Sequence, residues 1–273
     1  MPTAISNKPA GTVLITGCSE GGIGSTLAQA FHDRGFHVFA TARSLSKMAH
    51  LKQLQHITLL EFDVESQASI DSALKAVIAH TGGTGKLDYV VNNGGLNLNA
   101  PALDSDLEYT KKLFNVNFWG MVQVTHTFMP LFIESKGTLV NNASLAGVFN
   151  VPWGCIESLR VEVAPLGVRV VTIMTGIVAT KMFENGPQTS LPGSSYYKPA
   201  GQQIAELASR EKFASTAMPA AVYAKGLVDD VLRGHSGMTW RGKIASLGLF
   251  IHSFFPTWST DLAFGAGSGL EKI

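Results

Sequence analysis

The string Thr16–Gly24, TGCSEGGIG, is where residue types most directly specify a chemistry. Glycines at 17, 21, 22 and 24 let a backbone turn tightly and approach a pyrophosphate, because no Cβ stands in the way. The apolar run Thr12–Thr16 before it has strand character, and the pattern after it is helical through Phe31. The turn would therefore deliver its ligand to a helix N-terminus, with free N–H groups and a positive dipole end. A glycine string alone says little. Flanked by a strand and a helix, it reads as a dinucleotide-binding turn, with Ile15, Gly17, Ser19, Gly22, Ile23 and Gly24 as candidate contacts. The second strand ends in ATARSLSK. A free ribose 2′-hydroxyl calls for an acidic partner at this place, and a 2′-phosphate calls for a cation. Thr41, Arg43 and Lys47 are present, with no Asp or Glu between Val38 and Lys47. These residues favour NADP(H) over NAD(H). The alternative for Arg43 is an ordinary solvated surface arginine.

The elements that must position these groups follow an alternating pattern. Strands are predicted at Thr12–Thr16, His37–Thr41, Thr58–Phe62, Leu87–Val91, Gly137–Asn141 and Val168–Met174, with helical spacing at Ser66–His80 and over a long amphipathic stretch, Asp106–Glu134, containing Gly120. Such βαβ alternation predicts an α/β fold, a Rossmann-type doubly wound parallel sheet. With 273 residues, 45% of them hydrophobic, residues 1–273 form one NADP(H)-binding domain. Between Phe183 and Ser209 the Gly, Pro, Ser and Tyr content rises, which predicts an irregular excursion of the kind that covers a substrate, a lid over 183–209.

Bulk properties exclude several classes. A net charge of +1, with no basic cluster among aromatics, argues against a nucleic-acid partner. Cys18 and Cys155 make no disulfide framework, and no metal-ligand spacing occurs. The N-terminus MPTAISNKPAG has no charged start followed by an apolar run, so no secretory signal is expected and a cytoplasmic location fits. The sequon Asn142-Ala143-Ser144 falls at the end of a strand candidate and is read as chance. The apolar segment Ile244–Trp258 has 15 residues, short of the ~20 a spanning helix needs. It can be a buried C-terminal element, a pocket cover, or a surface for peripheral membrane, endoplasmic-reticulum or lipid-droplet contact. A homo-oligomer is also open.

Taken together, the motifs resemble the short-chain dehydrogenase/reductase family, classical type. TGCSEGGIG is similar to the family's TGxxxGIG with one extra residue, a longer form that resembles fungal NADPH-dependent 1-acyldihydroxyacetone-phosphate reductase-like proteins. EFDV matches the family's Asp-Val pair, which implies that Asp63 and Val64 meet the adenine; an aspartate entering a helix is the plain alternative. GKLDYVVNNGG is similar to LDxLVNNAG, which places Asn93 and Gly94 beside the cofactor. LFNVNFWG implies that Asn117 is the family's structural and catalytic asparagine. GTLVNNASLAG implies that Ser144 is the catalytic serine, hydrogen-bonding a substrate carbonyl. TGIVATKM resembles PGxVxT, with Thr175 in the proline place and Val178 and Thr180 at the nicotinamide end.

One family element is missing. The tyrosine place of the Tyr-x-x-x-Lys pair falls on Glu157, and the lysine place on Val161. The chain looks shortened by about a dozen residues between Ile156 and Glu157, and that many helical residues span ~18 Å. A shortened helix after the fifth strand is expected, with weakened folding or a changed oligomer. Glu157 is a poor substitute, since a carboxylic acid with a pKa near ~4.3 needs strong burial to stay protonated at neutral pH. Two readings follow. The resemblance implies an NADPH-dependent carbonyl reductase or alcohol dehydrogenase acting on a hydrophobic, lipid-like or secondary-metabolite ketone. The lost pair implies an inactive NADP(H)-binding pseudoenzyme or a truncated gene product.

Overall fold

The computed structural model describes residues 9–83, 86–98, 104–144, 163–182, 191–195, 197–209, 216–256 and 258–259. Strands β1 (Thr12–Ile15), β2 (His37–Ala42), β3 (Ile57–Glu61), β4 (Tyr89–Asn92), β5 (Thr138–Ser144) and β6 (Arg169–Thr175) lie where apolar runs predict them, within a residue or two, except that β5 continues to Ser144. They join β9 (Gly237–Arg241) in one parallel sheet of order β3-β2-β1-β4-β5-β6-β9. Winding proceeds outward from β1 to β3 on one side and from β4 to β9 on the other. The reversal between β1 and β4 opens a crevice at their carboxyl ends, where ligands bind in such sheets. This is the doubly wound architecture expected from the sequence.

Both faces of the sheet are covered, which explains the near-continuous apolar runs. Val13 and Ile15 of β1, Val140 of β5 and Ile173 of β6 share one core with Leu27 and Phe31 of α1 (Ile23–His32) and Leu227 and Val231 of a later helix, Ala220–Leu232. Leu14 and Leu139 point the other way, as alternation in a strand requires. They join Ile70 and Val77 of α2 (Gln67–His80) and Phe128 and Phe132 of a helix spanning Met121–Ser135. The Ser66 hydroxyl caps α2 by accepting from the Ser69 N–H at 3.3 Å.

Three findings differ from the sequence reading. The predicted helix Asp106–Glu134 is α3 (Leu107–Phe114), capped by Asp106, then a π-helical stretch, Asn115–Gly120, then α4 (Met121–Ser135). Within the predicted irregular excursion, Gly201–Ser209 is helical (α5), because GQQIAELAS is rich in helix formers and Gln202 bonds Glu206 one turn on at 3.1 Å. Strand β9 and the two-residue parallel pair β7 (Val178–Ala179) and β8 (Met218–Pro219) carry no apolar run that would announce them. The helices α6 (Ala220–Leu232) and α7 (Ala245–Phe254) complete the described α-helices. Residues 145–162, with Cys155, Glu157 and the expected shortened helix, lie outside the described residues, as do 183–190 of the expected lid. The chain re-enters description at the buried Val163 and a 3-10 turn, Ala164–Leu166, before β6.

Candidate active site

At the carboxyl end of β1 the turn is fixed from two sides. The Ile15 carbonyl accepts from the Thr41 hydroxyl at 3.0 Å and the Cys18 thiol at 3.3 Å, and the Cys18 N–H donates to the Thr41 carbonyl at 2.7 Å. Thr41 thus ties β2 to the turn and is fully buried. Burial pushes the Cys18 thiol up to about 12, against a smaller opposing effect of its bond to Thr41. Cys18 is therefore packing and not a nucleophile. The Gly22 N–H donates to the Ser19 carbonyl at 3.1 Å, and the Glu20 N–H reaches the Lys47 carbonyl at 2.9 Å. The helix α1 starts at Ile23 with no side-chain cap at Gly22, leaving its first N–H groups for a ligand.

Two glycines are demanded by space. Gly17 has φ +76°, and a Cβ on it would fall 2.7 Å from the Gly94 Cα. A Cβ on Gly24 would fall 2.3 Å from the Gly17 carbonyl oxygen and 2.6 Å from Asn93 Nδ2. The turn, α1 and the loop after β4 are therefore packed backbone to backbone. Gly94 is less constrained, with Thr16 Oγ1 at 3.3 Å from a hypothetical Cβ.

A polar chain links four strand ends. Thr16 Oγ1 accepts from the N–H groups of Asn93 (2.9 Å) and Gly94 (2.8 Å). The Asn93 amide donates to the Thr16 carbonyl at 2.9 Å and accepts from the Asn142 amide at 2.9 Å. The Asn142 oxygen accepts from the Thr175 hydroxyl at 2.5 Å and from the Tyr223 hydroxyl at 3.1 Å, and those two hydroxyls lie 2.6 Å apart. Sequence reasoning treated Thr175 only as a replaced proline and missed Tyr223. Burial drives the Tyr223 phenol well above its ordinary value, outweighing its bond to Thr175 and the nearby Arg241 charge, so it remains a neutral hydroxyl. On the opposite face the Asn92 amide donates to Thr125 (3.1 Å) and Asn141 (3.0 Å). The doubled asparagines of β4 and β5 were the available signal, because consecutive polar residues in a buried strand need partners on both faces.

The remaining candidates fall around this frame. Ser144 ends β5, exposed, in register with Thr175. Asn117 lies in the π-helical stretch and clamps the loop after β4, accepting from the Leu96 N–H at 2.7 Å and donating to its carbonyl at 2.9 Å. Arg43 and Lys47 are exposed beyond β2, and among the described residues neither has a carboxylate within ion-pair distance. Asp63 lies beyond β3, its carboxylate accepting from the Glu65 N–H at 3.0 Å. Val64 beside it packs on Gly120, where a Cβ would fall 2.7 Å from Val64 Cγ2. Val178 is buried in β7, and Thr180 follows it. The next residue, Lys181, donates its N–H to the Gly21 carbonyl at 3.2 Å, closing the loop after β6 onto the Gly-rich turn. Structure therefore joins Ile15, Gly17, Gly22, Gly24, Thr41, Asn93, Gly94 and the 178–181 loop into one bonded assembly. Asp63 and Val64 stand apart at the end of β3.

This architecture and the motifs on it define the class. Residues 11–190 match the short chain dehydrogenase family, and the chain belongs to it. It is 43% identical to a short-chain dehydrogenase, ptmH, of Penicillium ochrochloron, covering 92% of this chain and 95% of that protein. It is 37% identical to an NADPH-dependent 1-acyldihydroxyacetone phosphate reductase of Schizosaccharomyces pombe, covering 77% of this chain and 78% of that one. Among solved structures, a short-chain dehydrogenase of Streptomyces avermitilis superposes with a TM-score of 0.78 at 22% identity, over 96% of this chain and 99% of the other. Another, from Burkholderia cenocepacia and in complex with NADP, gives 0.70 at 19% identity, over 93% and 97%.

Proposed function

We propose that the chain is an NADP(H)-binding oxidoreductase of the carbonyl-reducing type, with an intact cofactor side and a defective proton-donating side. The observation that carries the cofactor half is the backbone-on-backbone packing at Gly17 and Gly24, which brings the turn to an uncapped helix N-terminus. The exposed Arg43 and Lys47, with no carboxylate partner among the described residues, support a 2′-phosphate and so NADP(H), as does the cofactor named for the fission-yeast relative. Ile15, Gly17, Ser19, Gly22, Ile23 and Gly24 would hold the pyrophosphate end, Asp63 and Val64 the adenine, and Asn93, Gly94, Val178 and Thr180 the nicotinamide end. When bound, NADPH supplies a hydride. Ser144 would hydrogen-bond the substrate carbonyl, and Asn117 would hold the loop beside it.

A lipid-like or other hydrophobic ketone is the substrate class. The lipid phosphate named for the fission-yeast relative supports it. So does the exposed apolar face of α7, where Leu247, Phe250 and Phe254 face solvent, with Phe255 just beyond the helix. That face also supports peripheral contact with a lipid-rich surface; among the described residues, no helix is long and apolar enough to cross a membrane.

The defect is a sequence fact. None of the tyrosines at 89, 109, 196, 197 and 223 has a lysine four residues on. Removing a general acid costs about 10²- to 10⁴-fold in rate. We therefore expect NADPH binding by the 273-residue chain with little or no oxidation of it. Titration of NADPH fluorescence, followed by NADPH consumption with long-chain ketones, tests both halves. Binding without consumption is the expected result. Brisk consumption would show that another group donates the proton, and absence of binding would remove the cofactor reading.

A further inference from the structure

The loop after β6 brings a cation onto the Gly-rich turn that none of the motif matches assigns. Lys181 donates its backbone N–H to the Gly21 carbonyl at 3.2 Å. Its side chain then runs back over the same residue. Lys181 Cδ, Cε and Cγ lie 2.8, 3.0 and 3.1 Å from the point where a Cβ of Gly21 would stand. Gly21 has φ +80° and is separated from α1, which begins at Ile23, by Gly22 alone. The ammonium is one bond beyond Cε, so it lies close to Gly21, two residues before the start of α1. Lys181 is exposed, and among the described residues no carboxylate lies within ion-pair distance of it. An unpaired cation next to a helix N-terminus is electrostatically unfavourable, since both carry positive charge. An anion between them reverses the sign of both interactions. The turn is thus held by the backbone from two sides. Lys47 meets it from the β2 side through its carbonyl bond to the Glu20 N–H, and Lys181 from the β6 side.

We propose that Lys181 is the cation for the dinucleotide's diphosphate, distinct from the 2′-phosphate role of Arg43 and Lys47. The inference rests on the cofactor reading above. Lys181 reaches the turn at the strand-end crevice, whereas Arg43 and Lys47 lie beyond the end of β2. Lys181 therefore serves NADPH and NADH alike, while Arg43 discriminates between them. The stem of Lys181, lying across Gly21, also holds the loop that bears Val178 and Thr180 against the turn.

The test is Lys181→Met, which keeps the stem and removes the charge, with Lys181→Arg as the conservative control and Arg43→Ala as the contrast. Kd values for NADPH and NADH are measured by fluorescence titration at two salt concentrations, together with the melting temperature without ligand. Lys181→Met is expected to weaken both cofactors alike, about ten-fold, as loss of one charge-assisted contact does, and to flatten the salt dependence. Lys181→Arg should restore most of the affinity, and the unliganded melting temperature should not move. Arg43→Ala should weaken NADPH alone. Unchanged affinity in Lys181→Met, with the parent chain binding normally, overturns the assignment and leaves the cofactor reading standing. Loss confined to NADPH places Lys181 at the 2′-phosphate and overturns it as well. A parent chain that binds neither cofactor overturns the cofactor reading and this inference with it.

Discussion

The carboxyl ends of β1 and β5 form the two sides of one crevice, and they are built on different principles. At β1 the proposed binding surface is backbone: a turn shaped by Gly17, packed on Gly94 and Gly24, and tied to β2 through Thr41. Its specificity lies in a contiguous string and in contacts that any side chain would spoil. At β5 the frame is equally well bonded, through Asn142, Thr175 and Tyr223, but frame is not chemistry. In the proposed reading, proton donation would need a Tyr-x-x-x-Lys pair in a single stretch after Ser144, and no such pair occurs in the sequence there. A backbone site survives the loss of distant side chains. A site made of two side chains is lost with one short segment.

The strongest way to sharpen this contrast is to restore the missing piece. Inserting a helical segment of about a dozen residues with Tyr-x-x-x-Lys between Ile156 and Glu157 should raise NADPH-dependent ketone reduction about 10²- to 10⁴-fold, with the NADPH Kd changed far less. No gain in steady-state rate would overturn the proposal that the missing pair limits the reaction. Next in size is damage to the β1 side. Gly24→Ala forces a methyl group into the Gly17 carbonyl and should cost about 1–3 kcal/mol of stability, along with most of the NADPH affinity. An unaltered denaturation midpoint would refute the claim that the turn is packed backbone to backbone.

Tyr223→Phe tests the frame at β5. Deleting that hydroxyl removes the buried partner of Thr175 and should cost about 1 kcal/mol in urea denaturation. Thr175 keeps its bond to Asn142, so cofactor binding should hold, whereas Thr175→Val should cost more.

An effect confined to low pH, and absent at neutral pH, lies at the opposite, amino end of the sheet, where no ligand chemistry is proposed. The His37 ring stacks on His80 at 3.8 Å between centroids, lies 6.4 Å from the His56 ring, and contacts Thr58 Oγ1 at 2.9 Å. Burial first, then the charges of His80 and His56, lower its pKa from 6.5 to about 4. Between those values the unfolded chain binds the proton and the folded chain does not, so stability falls as pH drops through that window. Melting temperature should be flat above pH 6.5 and decline toward pH 4, with a shallower decline in His37→Phe. An identical slope in that variant would assign the acid lability elsewhere.

Much of this was legible in the residues. Continuous apolar runs gave β1 to β6 because a strand buried on both faces has no polar positions to spare. TGCSEGGIG marked the turn because backbone approach has few sequence solutions. Less legible were β9, whose GMTWR has no apolar run, the helix Gly201–Ser209 inside a Gly- and Pro-rich stretch, and the π-helical step at Asn115–Gly120. The partners of Thr175 were hidden too. Its bonds reach Asn142 and Tyr223, 33 and 48 positions away in the chain.

By itself, then, the sequence determined the family, the order of β1 to β6 with α1 and α2 between them, and the absence of a Tyr-x-x-x-Lys pair. These are properties of contiguous residues and their spacing. Only the tertiary structure decided that Tyr223 bonds Thr175 and Asn142 and that Lys181 lies on Gly21. Both depend on segments far apart in the chain meeting at the ends of parallel strands, and parallel pairing requires long crossovers that no local pattern records.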